Sequence, residues 1–145
     1  MITVGELLDS KGHSIWSAAP DDTVFEAIKL MDEKGVGALA VLNDGALVGM
    51  ISERDYARRV ILKGRSSKNT TVKDIMSTQV YYTFPSQTVD DCMVVMSERR
   101  IRHLPVLKGD ELIGMVSVGD LIKDIIAEQK HMIEQLEHYI AGDET

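Results

Sequence analysis

The chain is poor in cysteine, in aromatic residues and in cations. A single cysteine, Cys92, among 145 residues excludes an internal disulfide and any Cys-rich zinc site. It stands in an apolar-patterned run, 88–96, where a small buried hydrophobe is its ordinary role. Aromatics make up 5% of the residues, too few for the stacking platforms that hold single-stranded nucleic acid. Lys and Arg number 16 against 23 Asp and Glu, a net charge of −7, whereas DNA or RNA binding needs an excess of cations. No apolar run approaches the ~20 residues that cross a bilayer. Residues 1–9 lack the basic start and apolar centre of a secretion signal. These absences predict a cytoplasmic protein of a reducing compartment, with neither nucleic acid nor membrane as a partner. His13, His131 and His138 stand apart from any second ligand, so no metal site is expected.

What the chain does have is a repeat. Shifted by 65 residues, 20–55 falls on 85–120 without a gap, and 13 of the 36 aligned positions are identical. A match of this density marks a duplicated unit. Each copy opens with an extended stretch (15–19 and 80–84) that ends at a proline, Pro20 or Pro85. A threonine three residues on, Thr23 or Thr88, supplies N-cap chemistry for a helix. Val24, Ala27, Ile28 and Met31 then fall on one helical face, as do Val89, Cys92, Met93 and Met96. Two short apolar strands follow, joined by hairpin turns at 43–45 and 108–110. A polar step, Ser52-Glu53-Arg54-Asp55 or Ser117-Val118-Gly119-Asp120, opens a second helix. Residues 71–76 resemble residues 3–8, so each repeat also owns a short lead-in helix.

The predicted class is α+β: two β-α-β-β-α repeats whose sheets pack into one pseudo-symmetric unit. A half of this size buries too little apolar surface to stand alone, so the two halves are expected to share one core. The predicted divisions are 1–65 for the first repeat, 66–126 for the second, and 127–145 for a C-terminal amphipathic helix and tail. Along that helix Ile122, Ile125, Ile126, Gln129, Ile133, Leu136 and Ile140 form a stripe. It packs either on its own core or against a partner chain.

Ser52 and Asp55 recur as Ser117 and Asp120 with no packing reason. At the start of a helix the serine can cap the backbone, and free N–H groups favour an anion. An aspartate three residues on can accept both hydroxyls of a vicinal diol, such as a ribose. A helix N-terminus with an acidic first turn needs no ligand and explains the same residues.

The blocks Leu47-Val-Gly-Met-Ile-Ser-Glu-Arg-Asp55, Arg102-His-Leu-Pro-Val106 and Leu112-Ile-Gly-Met-Val-Ser-Val-Gly-Asp120 closely resemble the CBS-domain family, as does the Val72-Lys-Asp-Ile-Met-Ser77 stretch before the second copy. The resemblance spans roughly 4–126, and two copies make one Bateman module. It implies ligand binding rather than catalysis, with AMP, ADP, ATP, NAD(H) or S-adenosylmethionine as the usual ligands and AMP the first choice. Carried over, Asp55 and Asp120 hold the ribose, with Ser52 and Ser117 as their hydroxyl partners. The resemblance places adenine against Ser17, Ala18 and Gly37 in one site and against Tyr82, Thr83 and Arg102 in the other. It also implies a homodimer and a regulated protein partner that the sequence does not name.

The two sites are not equal in sequence. The second copy carries Arg99-Arg-Ile-Arg-His103 where the first has Lys34-Gly-Val-Gly-Ala38. Family precedent has one repeat meeting the phosphate of the other's site. Arg102 and His103, helped by Arg54 and with Arg58 one turn on, would then face a phosphate at Asp55. The Asp120 site would meet the uncharged Gly37 and Ala38. A solvated helix end explains the same basic run. Two other classes stay open: an interaction protein with empty clefts, and an enzyme, for which no nucleophile–base arrangement or P-loop is present.

Overall fold

The computed structural model describes residues 2–140, so the last five residues of the predicted tail lie outside the described residues. Strand β1 (Ser17–Ala18) pairs in parallel with β2 (Ala38–Asn43), and β2 pairs antiparallel with β3 (Ala46–Ser52). The β2–β3 hairpin turns through Asp44 and Gly45, both at positive φ, as a two-residue turn between right-twisted strands requires. In the second half β4 (His103–Lys108) pairs antiparallel with β5 (Glu111–Ser117), in the register of the first half shifted by 65.

The third strand predicted there, 80–84, shrinks to a single bridge between Thr83 and Val106. Thr83 N–H donates to the Pro105 carbonyl and Leu107 N–H to the Thr83 carbonyl. The next rung of a parallel ladder would need an N–H on residue 105, and proline has none.

Helices α2 (Val24–Lys34) and α5 (Val89–Arg99) start where the threonines predict: Thr23 accepts from Glu26 N–H and Thr88 from Asp91 N–H. After each hairpin comes α3 (Glu53–Tyr56), continued by a π-helical turn Ala57–Ile61, or α6 (Val118–Ile140).

The lead-in helices do not stay with their own repeats. Helix α1 (Val4–Lys11) packs Val4, Leu7 and Leu8 into a core with Cys92, Leu104 and Val116. Helix α4 (Val72–Ile75) packs into a core with Met31, Leu39 and Ile51. The exchange is matched bond for bond: Val4 N–H donates to the Gln87 carbonyl and Val72 N–H to the Asp22 carbonyl, each at 2.8 Å. Two glycines admit the exchanged segments. A Cβ on Gly114 would meet Leu8 at 2.8 Å, and one on Gly49 would meet Met76 at 2.7 Å. The single shared core expected from the sequence is therefore two cores, each one sheet and two helices of a repeat closed by the other's lead-in helix.

Candidate functional site

The exchange builds a cleft. Met50 and Ser77 exchange backbone hydrogen bonds of 3.0 and 2.9 Å, so the segment after α4 runs along β3 of the first repeat. The result is a cavity of about 650 Å³, within the range that holds small-molecule ligands. Gly37, Ser52, Arg54 and Asp55 come to it from the first repeat, and Arg100, Arg102 and His103 from the second. Val80 and Tyr81 form an apolar wall.

Ser52 and Asp55 form a capping box. Ser52 Oγ accepts from Asp55 N–H at 3.2 Å, while Asp55 Oδ2 accepts from Ser52 N–H at 2.9 Å and from its hydroxyl at 3.1 Å. Among the described residues no side chain forms an ion pair with Asp55, and its capping bonds fall on Oδ2, which leaves acceptor capacity for a diol. Helix α3 is a single turn, so its dipole is a weak anion site and the arginines carry that part. Arg54 donates to the Arg100 carbonyl at 3.0 Å, which ties the cations of the two repeats together. Arg100 ends α5 in the left-handed region, φ 55, where the first copy ends α2 with Gly35 at φ 65.

His103 sits where the repeats meet: a Cβ on Gly37 would lie 3.3 Å from its ring. Burial pushes its pKa down, Lys11 and Arg102 push the same way, and Asp120 opposes them. It therefore faces the cleft as a neutral ring at pH 7, not as the cation implied by the basic run.

Several assigned residues are elsewhere. Ala18 is buried in the first core, and Ser17 beside it does not line the cavity. Thr83 is buried and accepts from the Cys92 thiol at 3.4 Å, which makes it a core contact. Tyr82 packs edge-on against Phe84 on the surface. Strand residues alternate faces, and the inward ones here serve the core. The wall of the Asp55 cleft comes instead from Val80 and Tyr81, because the lead-in exchange carries this segment across. Arg58 is exposed outside the cavity. Arg59 donates to the carbonyl of Ile75 at 2.8 Å and so caps α4.

Ser117 and Asp120 form the second step, with Asp120 N–H donating to Ser117 Oγ at 3.2 Å and Ser117 N–H to Asp120 Oδ2 at 2.8 Å. The expected uncharged surroundings are not found. Lys11 Nζ lies 2.6 Å from Asp120 Oδ2, while Gly37 and Ala38 line the Asp55 cavity. Burial pushes the Asp120 carboxyl up, but hydrogen bonds from Lys11 and Ser117 and the charge of Lys11 outweigh it and hold it below the usual carboxylate range. Among the described residues no cluster of His, Cys, Asp or Glu could hold a metal ion, and no helix is long and apolar enough to cross a membrane.

The CBS domain family model matches twice, over residues 4–62 and 72–127. The mitochondrial CBS domain-containing protein CBSX3 of Arabidopsis thaliana is 41% identical over 150 residues, covering 97% of this chain and 72% of that protein. The solved structure of a protein with CBS domains from Burkholderia ambifaria is 50% identical, with a TM-score of 0.85 over 88% of this chain and 96% of that one. The CBS domain pair of protein MJ0100, solved in complex with 5′-methylthioadenosine and S-adenosyl-L-methionine, shares the fold: TM-score 0.79, 22% identity, 88% of this chain and 98% of that one.

Proposed function

Since this chain belongs to the CBS-domain family, we propose that it is a non-catalytic regulatory module holding an adenine nucleotide, AMP ahead of ATP or NAD(H), in the Asp55 cleft. One observation carries this reading: a carboxylate without a cation partner shares a cavity of about 650 Å³ with Arg54, Arg100 and Arg102. Asp55 accepts the ribose hydroxyls, Ser52 fixes the carboxylate, and the arginines meet the phosphate by charge-assisted hydrogen bonds. The purine lies against Val80 and Tyr81. A nucleoside unit is common to this ligand class and to the molecules in the MJ0100 complex. Binding regulates only if it favours one of two states, and we place those states in the association of the module with itself or with a partner.

Mass spectrometry of the denatured protein is expected to release a nucleotide, reporting base and phosphate count together. Calorimetry with AMP tests the site. Asp55→Ala removes a charged acceptor, a loss of about 1.5–3 kcal/mol, or about 10- to 150-fold in affinity. Unchanged affinity in Asp55→Ala would overturn the assignment.

The exposed stripe of α6 favours a second role beside the first, association of the module as a homodimer. Ile126, Ile133, Leu136 and Ile140 are all exposed, on a helix that has left its own core.

A further inference from the structure

The duplication is broken at one place. Leu8 covers Gly114 as Met76 covers Gly49, so Leu8 and Met76 are counterparts. Eleven residues separate Leu8 from Pro20, and eight separate Met76 from Pro85. The three extra residues, Asp9, Ser10 and Lys11, extend α1 by a turn that α4 lacks; α4 stops at Ile75 with Met76 already extended, at ψ 152.

That extra turn delivers a cation. Lys11 Nζ donates to Asp120 Oδ2 at 2.6 Å and to the Met115 carbonyl at 2.5 Å. In the first half the carbonyl of Met50, the counterpart of Met115, accepts instead from the backbone N–H of Ser77 at 2.9 Å. One ammonium thus replaces a backbone rung and neutralises the carboxylate whose twin, Asp55, has no ion-pair partner among the described residues. The pair is partly shielded, with side chains 34% and 20% exposed. The Asp120 step also has Gly119 where the first has Arg54, so it lacks that phosphate partner.

We propose that Lys11 is an internal occupant of the site at Asp120, holding that carboxylate in place of a ribose, so that each chain binds one nucleotide. The proposal rests on the nucleotide reading of the Asp55 cleft. A ribose hydroxyl donating to Asp120 would have to displace an ammonium that also satisfies the Met115 carbonyl. A hydroxyl bond to Asp120 has a charge only on the acceptor, whereas the ammonium brings a charge on the donor as well.

Calorimetric titration of the full chain with AMP tests it. The wild type is expected to bind one AMP per chain. Lys11→Met keeps an unbranched side chain at residue 11 without the ammonium, and is expected to bind two, the second being lost in Lys11→Met/Asp120→Ala. Lys11→Gln keeps a donor for the Met115 carbonyl without the charge and is expected to give the same result, and retained binding at the Asp55 cleft shows that either variant has folded. Two AMP per wild-type chain, or one AMP in both Lys11 variants, overturns the role of Lys11 and leaves the Asp55 reading standing. No AMP bound by any of these proteins overturns both.

Discussion

Arg100 holds a backbone conformation, φ 55, that its repeat partner assigns to glycine. The left-handed region costs an L-residue about 1–2 kcal/mol relative to glycine. That strain is tolerated where the side chain adds a cation to the cleft and the carbonyl receives Arg54. Arg100→Gly is therefore expected to raise stability by about 1 kcal/mol in urea unfolding while weakening AMP binding severalfold. A variant less stable than wild type would show that the arginine packs rather than strains. His103 carries the second prediction at this scale. Its folded-state pKa lies below its ordinary value, chiefly through burial, so the unfolded chain takes up a proton that the folded chain refuses. The stability it contributes is present above pH ~6.5 and falls as the pH drops below that. Urea midpoints at about pH 7.5 and 5.5 should differ less in His103→Gln than in wild type, since glutamine does not titrate in this window.

Among the elements, the helices were the most legible. Threonine caps and the apolar faces of 24–31 and 89–96 placed α2 and α5, because capping and periodicity are local properties. The strand predicted over 80–84 failed on one atom, the missing N–H of Pro105, which a propensity reading does not register. The lead-in helices are legible in the sequence, but the repeat each one closes is not, since the exchange is a choice between two equally apolar faces. Helix α6 left the predicted tail undecided, and the structure resolves it in part: everything from Ile126 to Ile140 is exposed. A lone helical stretch of about 15 residues is marginal in water. The spacing 126, 129, 133, 136, 140 alternates three and four, with Ile at the a positions and Gln129 and Leu136 at d, a pattern suited to two strands. A chain ending at Ile126 should therefore lose dimer mass in light scattering at concentrations where the full chain is dimeric. An unchanged dimer would remove α6 from the interface.

For the molecule as a whole, a charge of −7 conceals a cationic cleft. The cluster of Arg54, Arg100 and Arg102 forms only because the second repeat delivers residues 100–102 beside the Ser52–Asp55 step of the first. The exchange of α1 and α4 makes each repeat depend on the other for its core. The two Ser-x-x-Asp steps nevertheless differ: Asp55 shares its cavity with arginines, and Asp120 is met by Lys11.

The repeat, the strand and helix order, the Ser-x-x-Asp steps and the basic run at 99–103 are written in the sequence. Identity at a fixed offset and short-range periodicity need no third dimension. Tertiary structure decided what lies on which side: Val80 and Tyr81 rather than Ser17 and Ala18 along the Asp55 cleft, two cores rather than one, and Lys11 on Asp120. Those outcomes depend on contacts between residues about a hundred positions apart, such as Lys11 with Met115 and Asp120. A chain folds them by matching surfaces, and no local pattern along it records which surface its partner will present.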